Sequence, residues 1–352
     1  MIKKFQYINA EKTIFLLVII IICSSSVFSQ QRPHYTQYIQ NPYIINPALT
    51  GIENYTDIKL SVRNQWIGFP GAPRTVYATM HTPLGKKDFK TTPTSFSVPG
   101  ENPRGRSYWE SYTASAPHHG IGGGIVNYQT GYINRVSAFA SYAYHLGLSP
   151  TMNLSAGFSA GINTFTIDGS KIELANPSDP AIGIVATELT RVKPELNAGL
   201  WLYSDRFFTG LSAQQIIPQK LSLSDDRLNS SSLVPHLFLT AGYRFLLNDD
   251  INLMPSAMVR YISGLPVFID CNIKALYRDR FWVGGNYRIR EGLALMSGVN
   301  ISNTFNLSYA YDTYFNRQLS YLLPYMQRGT HEIVFGIMLG NKYGDLCPRN
   351  VW

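Results

Sequence analysis

From about residue 55 onward the chain alternates apolar and polar positions in a succession of short segments. Along 151–163, Met152, Leu154, Ala156, Phe158, Ala160 and Ile162 fall on one phase, and Asn153, Ser155, Gly157, Ser159, Gly161 and Asn163 on the other. Alternation of this kind marks a strand with one apolar and one polar face. From Val267, residues Ile269, Cys271, Ile273, Ala275 and Tyr277 oppose Asp270, Asn272 and Lys274. From Phe281, residues Val283, Gly285, Tyr287 and Ile289 oppose Asn286, Arg288 and Arg290. The pattern predicts strands at 56–66, 74–82, 119–128, 134–147, 151–163, 193–203, 206–216, 235–247, 251–263, 266–276, 281–290, 293–302, 304–315 and 330–340.

Either a soluble sandwich or a membrane barrel hides one face of its sheet, so alternation alone does not choose between them. Strand length favours the barrel, being nearer to roughly 9–11 residues than to the roughly 5–6 usual in soluble sheets. Several connections are minimal, as at Asn248–Asp250, Arg278–Arg280 and Glu291–Gly292, which suits hairpins. Aromatic residues recur near strand ends, as in Trp201 with Tyr203, Phe281 with Trp282 and Tyr314 with Phe315, and such residues form the girdles of membrane barrels. The expected fold is therefore all-β, a transmembrane antiparallel β-barrel of about 14 strands over residues 55–341, an even count as bacterial barrels require. With the mature amino terminus taken to start in the periplasm, strand parity puts the long connections 164–192, 217–234 and 316–329 outside the cell. Residues 83–118, rich in Pro, Gly and Ser, fall on the periplasmic side by the same parity, as an inserted loop or a miscounted hairpin.

Composition agrees with this environment: charged residues are 15% of the chain, against about 25% in ordinary soluble proteins. Lys3 and Lys4, the apolar stretch from Ile14 to Ile22 and the polar run Ser24, Ser25 and Ser26 predict a cleaved signal peptide over 1–29, with Val27 and Ser29 in the small-residue positions. Ile22 is bulkier than the residue that normally precedes a lipidated cysteine, which argues against Cys23 as an anchor. The mature chain keeps Cys271 and Cys347, whose spacing fits no zinc or redox pattern. The net charge of +8 is dispersed through strands and turns, whereas a nucleic-acid partner calls for a dense basic patch. Between leader and barrel, residues 30–54 show neither strand nor helix periodicity, and Pro33, Pro42 and Pro47 would interrupt both. The density of Tyr, Asn and Gln there suits a segment ordered against something, either a plug inside the barrel or a periplasmic docking segment. Residues 342–352 form a C-terminal tail.

The run His34-Tyr35-Thr36-Gln37-Tyr38, then Asn41-Pro42, Asn46-Pro47-Ala48 and Gly51, closely resembles the opening of PorP/SprF family proteins. Agreement continues through Arg63-Asn64-Gln65-Trp66, Gly68, Pro70, Pro73 and Thr75, through His81-Thr82-Pro83-Leu84, and resumes at Gly120-Ile121-Gly122-Gly123 and Gly131. The ending Cys347-Pro348-Arg349-Asn350-Val351-Trp352 is also similar, while 86–118 departs from the family pattern. The resemblance implies an outer-membrane protein of Bacteroidota that serves type IX secretion or gliding motility. It further implies a large secreted adhesin with a type IX C-terminal sorting domain as partner, periplasmic or lipoprotein components of the machinery beside it, and no catalytic chemistry.

Residue chemistry points the same way. Metalloprotease, nucleophile-elbow and phosphate-loop patterns are missing from the sequence, and neither a cofactor nor a metal is expected. His118 and His119 are read as solvated or turn residues rather than ligands, and the glycines 120–124 as a strand bend or a close approach. Candidate contacts for a plug or partner are His34, Tyr35, Gln37, Tyr38, Asn41, Pro42, Asn46, Pro47, Gly51, Arg63, Gln65 and Trp66. Arg63, Arg244, Arg260, Asp270, Lys274, Arg288 and Arg290 sit on polar phases and are expected in the lumen, either gripping an inserted peptide or pairing along the wall. A diffusion or uptake channel for small or apolar solutes is the alternative function, and it requires an open path through the barrel.

Overall fold

The computed structural model describes residues 35–86, 113–168, 188–221, 231–248, 250–278, 280–289, 291–314 and 329–341. The expected leader, the C-terminal tail and most of the 83–118 insertion lie outside these described residues. Seven strands come first: β1 (Thr56–Asn64), β2 (Arg74–Leu84), β3 (His118–Thr130), β4 (Ile133–Ser149), β5 (Met152–Asp168), β6 (Glu188–Tyr203) and β7 (Phe207–Gln214). A small separate hairpin follows, β8 (Gln219–Leu221) with β9 (Ser231–Leu233). The wall resumes with β10 (His236–Tyr243), continued past Arg244 by β11 (Phe245–Leu246), and then β12 (Ile251–Ile262) and β13 (Phe268–Tyr277). It is completed by β14 (Phe281–Arg288), β15 (Gly292–Asn300), β16 (Phe305–Tyr314) and β17 (Thr330–Leu339).

Every wall strand pairs antiparallel with its neighbour, and β1 pairs with β17, Thr56 opposite Leu339 and Asn64 opposite His331. With β10 and β11 counted as one stave, the barrel is closed and has fourteen staves, each at a position the alternation had marked. Closure removes the unpaired sheet edges that hydrocarbon would not tolerate. The β5–β6 ladder is longer than the apolar alternation suggests, running on to Asp168 opposite Glu188. Thr164, Thr166 and Thr190 extend it, being β-branched residues that favour strand geometry, and the Thr166 and Thr190 hydroxyls meet at 3.2 Å across the strands.

The two ends of the barrel differ. At the end where β1 starts and β17 finishes, most connections are tight: 150–151, 204–206, 278–280 and 301–304. At the opposite end lie 169–187, 315–329 and the 215–235 connection that carries β8 and β9. These are called below the tight-turn end and the long-loop end.

Outward faces are apolar, with Leu295 69% and Val283 62% exposed. Exposed Tyr243, Phe245, Tyr277, Phe281 and Phe305 ring the tight-turn end, and exposed Tyr132, Tyr261 and Tyr287 lie toward the long-loop end, as the interfacial girdles of a membrane barrel do. Three of the aromatics expected in the girdles are instead lumenal: Trp201, Tyr203 and Trp282 are buried. Phase explains the correction, because Trp282 shares its face with Asn286 and Arg288, and Trp201 and Tyr203 share theirs with Asn197. Trp201 stacks on Phe208 with ring centres 5.0 Å apart, and Lys274 lies 5.0 Å over the Trp282 ring. Cys271 falls on the outward, exposed face as its phase required; Cys347 is outside the described residues. Leu295→Arg is expected to lower barrel stability by about 2–4 kcal/mol, against less than about 1 kcal/mol for the rim residue Ile217→Arg, read from urea midpoints of protein refolded in lipid vesicles.

Candidate functional site

The inward face of the barrel is built around residues 35–55, which are buried along the lumen. The segment is irregular for the reason its prolines gave. It makes two single-turn 3-10 helices, Pro42–Ile44 and Pro47–Leu49, each opened by a proline at its first position, where the missing N–H costs nothing. Asn46 caps the second, its side-chain oxygen accepting from the Ala48 N–H at 2.9 Å. A backbone without regular structure still needs partners for its polar groups when water is excluded. The lumenal side chains supply them.

At the long-loop end the segment is held by buried charge. Thr36 N–H donates to Glu332 Oε2 at 3.0 Å, and the Gln37 side-chain amide donates to the Glu332 carbonyl at 2.9 Å. The Thr36 hydroxyl bonds Asp312 and accepts from Arg288 Nη2 at 2.8 Å. Asp312 is shared by Arg63 at 2.9 Å and Arg288 at 3.3 Å, and Arg63 also lies 3.8 Å from Glu332. All four charged residues are at most 3% exposed.

Through the middle the contacts are neutral. Asn41 donates to the Thr79 hydroxyl at 2.9 Å, the Tyr43 and Ser141 hydroxyls meet at 2.6 Å, and Asn272 donates to the Tyr38 hydroxyl. Gln214 donates to the carbonyls of Ile44 and Ile45, Ser212 to Ile45, Asn46 to Leu200, and Ser155 to Ala48. Here the small residues of the polar phases find their use. A Cβ on Gly157 would sit 2.5 Å from the Pro47 carbonyl oxygen, and one on Gly199 would sit 2.0 Å from Asn46 Oδ1.

Three histidines hold the tight-turn end. His145 bonds the Thr50 carbonyl at 2.8 Å, His118 bonds the Gly51 carbonyl at 3.2 Å, and the Gly51 N–H donates to His81 Nδ1 at 3.2 Å. His118 and His145 stack with ring centres 4.4 Å apart, and the Tyr203 hydroxyl lies 3.1 Å from His145. Gly51 takes φ +73°, and a Cβ on the facing Gly120 would come within 1.9 Å of the Thr50 carbonyl oxygen. The glycine cluster is thus a close approach, as expected. His118 is not solvated or in a turn; it is a 1% exposed strand residue clamping the plug. His119 faces outward, bonded to the Tyr142 hydroxyl at 2.6 Å.

Of the candidate contacts, Tyr35, Gln37, Tyr38, Asn41, Pro42, Asn46, Pro47 and Gly51 all lie in the threaded segment, and Arg63 reaches its Thr36 end through Asp312 and Glu332. Gln65 and Trp66 belong to the β1–β2 loop at the long-loop rim, where the Gln65 N–H donates to the Pro73 carbonyl and Trp66 has φ 47°. Arg244, Arg260, Asp270, Lys274 and Arg288 are buried on the inward face. Arg288 contacts the plug directly, while Arg260 pairs along the wall with Glu291 at 3.9 Å. His34 and Arg290 lie outside the described residues. Residue chemistry alone missed Asp312, Glu332, His81 and His145; each shares the polar phase of its strand, the one signal that marked them.

A family model described as type IX secretion system membrane protein PorP/SprF matches residues 27–337. No curated protein matches the chain. Among solved structures, the toluene transporter TbuX of Ralstonia pickettii has a TM-score of 0.44 at 12% identity, covering 84% of this chain and 91% of that one. The outer membrane protein Omp33 of Acinetobacter baumannii has a TM-score of 0.43 at 7% identity, covering 82% and 99%. A Pseudomonas aeruginosa FadL homologue has 0.42 at 9%, covering 88% and 94%. The family match and the closed apolar-faced barrel put the chain in the outer membrane.

Asp312→Ala removes the carboxylate that Arg63 and Arg288 share and is expected to cost about 3–5 kcal/mol. The denaturant midpoint of this variant against that of the parent chain checks this.

Proposed function

Because the chain belongs to the PorP/SprF family of type IX secretion system membrane proteins, we propose that it is a non-enzymatic outer-membrane barrel that assists type IX secretion, or surface attachment, of a large adhesin by docking it rather than by conducting it. The observation that supports this reading is the filled lumen. The plug contacts the wall from Asp312 and Glu332 near one mouth to His118 and His145 near the other, so among the described residues the chain's own segment runs the length of the lumen.

Work on an exported protein then falls to the surfaces beyond the membrane. The connections 169–187, 215–235 and 315–329 share one end, and in bacterial outer-membrane barrels the longer loops face the cell exterior. The partner at that end is a secreted adhesin bearing a type IX C-terminal sorting domain, with type IX secretion or gliding motility as the process it serves. Periplasmic or lipoprotein components of the machinery meet the tight-turn end, where residues 85–117 connect β2 to β3.

The test is purification of the barrel, tagged within 315–329, from its native outer membrane in mild detergent, followed by mass spectrometry. Recovery of one large secreted protein with the sorting domain is the expected result. A barrel recovered without any such protein would overturn the proposal.

A further inference from the structure

The direction of the threaded segment carries an inference that holds whichever protein the barrel serves. Thr36 is bonded at the long-loop end, to residues near the strand termini there: Glu332 is two residues past the start of β17, Asp312 two before the end of β16, and Arg288 the last residue of β14. Gly51 is bonded at the opposite end, to His118 at the first position of β3 and to His81 three residues before the end of β2. Lys86, just past β2, donates to the Ile52 carbonyl at 2.7 Å, and β1 starts from that end at Thr56. The chain therefore descends the whole lumen, from the long-loop mouth to the tight-turn mouth, before it turns back into the wall.

Gln30, the first residue after the expected leader, precedes Tyr35 by five residues. Five residues reach at most about 18 Å even when fully extended, and the apolar band of such a barrel is about 25 Å tall. A path of that length is too short to return from the long-loop mouth to the tight-turn mouth. We infer that the mature amino terminus is presented at the long-loop mouth, on the side of the membrane opposite the end of β17, so that one covalent segment joins the two faces of the barrel. Beside Tyr35 lies a cavity lined by Tyr128, Arg135 and Gln214 from the long-loop ends of β3, β4 and β7, and by Glu195 from the middle of β6. A protein seated over that mouth meets the start of the plug directly and acts on the Thr36 contacts without entering the wall.

Single cysteines test the inference in a chain carrying Cys271→Ser and Cys347→Ser. Gln31→Cys reports the amino terminus, Ser320→Cys the long-loop end and Asp205→Cys the tight-turn end, each in a variant whose heat-modifiable gel migration shows a folded barrel. Intact cells are treated with a membrane-impermeant maleimide, and then again after permeabilisation. The expected result is that Gln31→Cys labels together with Ser320→Cys in intact cells, while Asp205→Cys labels after permeabilisation only. Labelling of Gln31→Cys with Asp205→Cys, or its protection until the protein is denatured, would overturn the inference. Reversed insertion of the whole barrel would exchange the two reference positions and leave the pairing of Gln31→Cys with Ser320→Cys intact.

Discussion

The structure depends on the mutual satisfaction of two polar surfaces that cannot stand alone in a membrane: the inward face of the wall and the irregular backbone of the segment threaded through it. Each buried polar group left unpaired costs on the order of kcal/mol, and water is largely excluded where Thr36, Gln37 and Thr50 are fully buried. Prolines in the segment prevent it from pairing with itself as a helix or strand would. Its carbonyls and amides are instead bonded by Glu332, Gln214, Ser212, Ser155, His145 and His118. The wall, in turn, uses the segment to cover charges that would otherwise face an empty lumen.

Several features follow from that constraint. The plug and the first strand are one continuous chain, and β1 is also the strand that closes the ring against β17. Arg63 on β1, Glu332 on β17 and Asp312 on β16 therefore join the closing seam to Thr36 of the plug. The ion cluster does not have to add net stability to matter, since buried pairs often do no better than apolar replacements. What it supplies is register: two guanidiniums and two carboxylates fix which part of the segment lies at which depth. At the other mouth Gly51 and Gly120 pass so closely that no side chain fits between them.

Strand positions were legible because lipid outside and a polar plug inside impose opposite chemistry on alternate residues, as in Phe158 and Ile162 against Ser159 and Asn163. Phase also proved the better guide than proximity to a strand end, as the inward Trp201, Tyr203 and Trp282 show. Partners across the lumen were not legible. Arg63 and Asp312 are separated by 249 positions, and alternation reports the face a residue occupies without reporting what it meets there. His118 beside His119 looked like a solvated pair because adjacent strand residues point opposite ways, and only one of the two enters the core. The direction of the plug was hidden for a related reason, since a segment without periodicity gives no sign of which mouth it enters.

Ion conductance across a planar lipid bilayer tests the central claim most directly, comparing the full mature chain with a variant lacking residues 31–50. A lumen sealed by its own threaded segment predicts no steady open-channel current from the full chain and discrete, persistent openings from the deletion. Equal steady conductance from the two would contradict it and return the barrel to the class of solute channels.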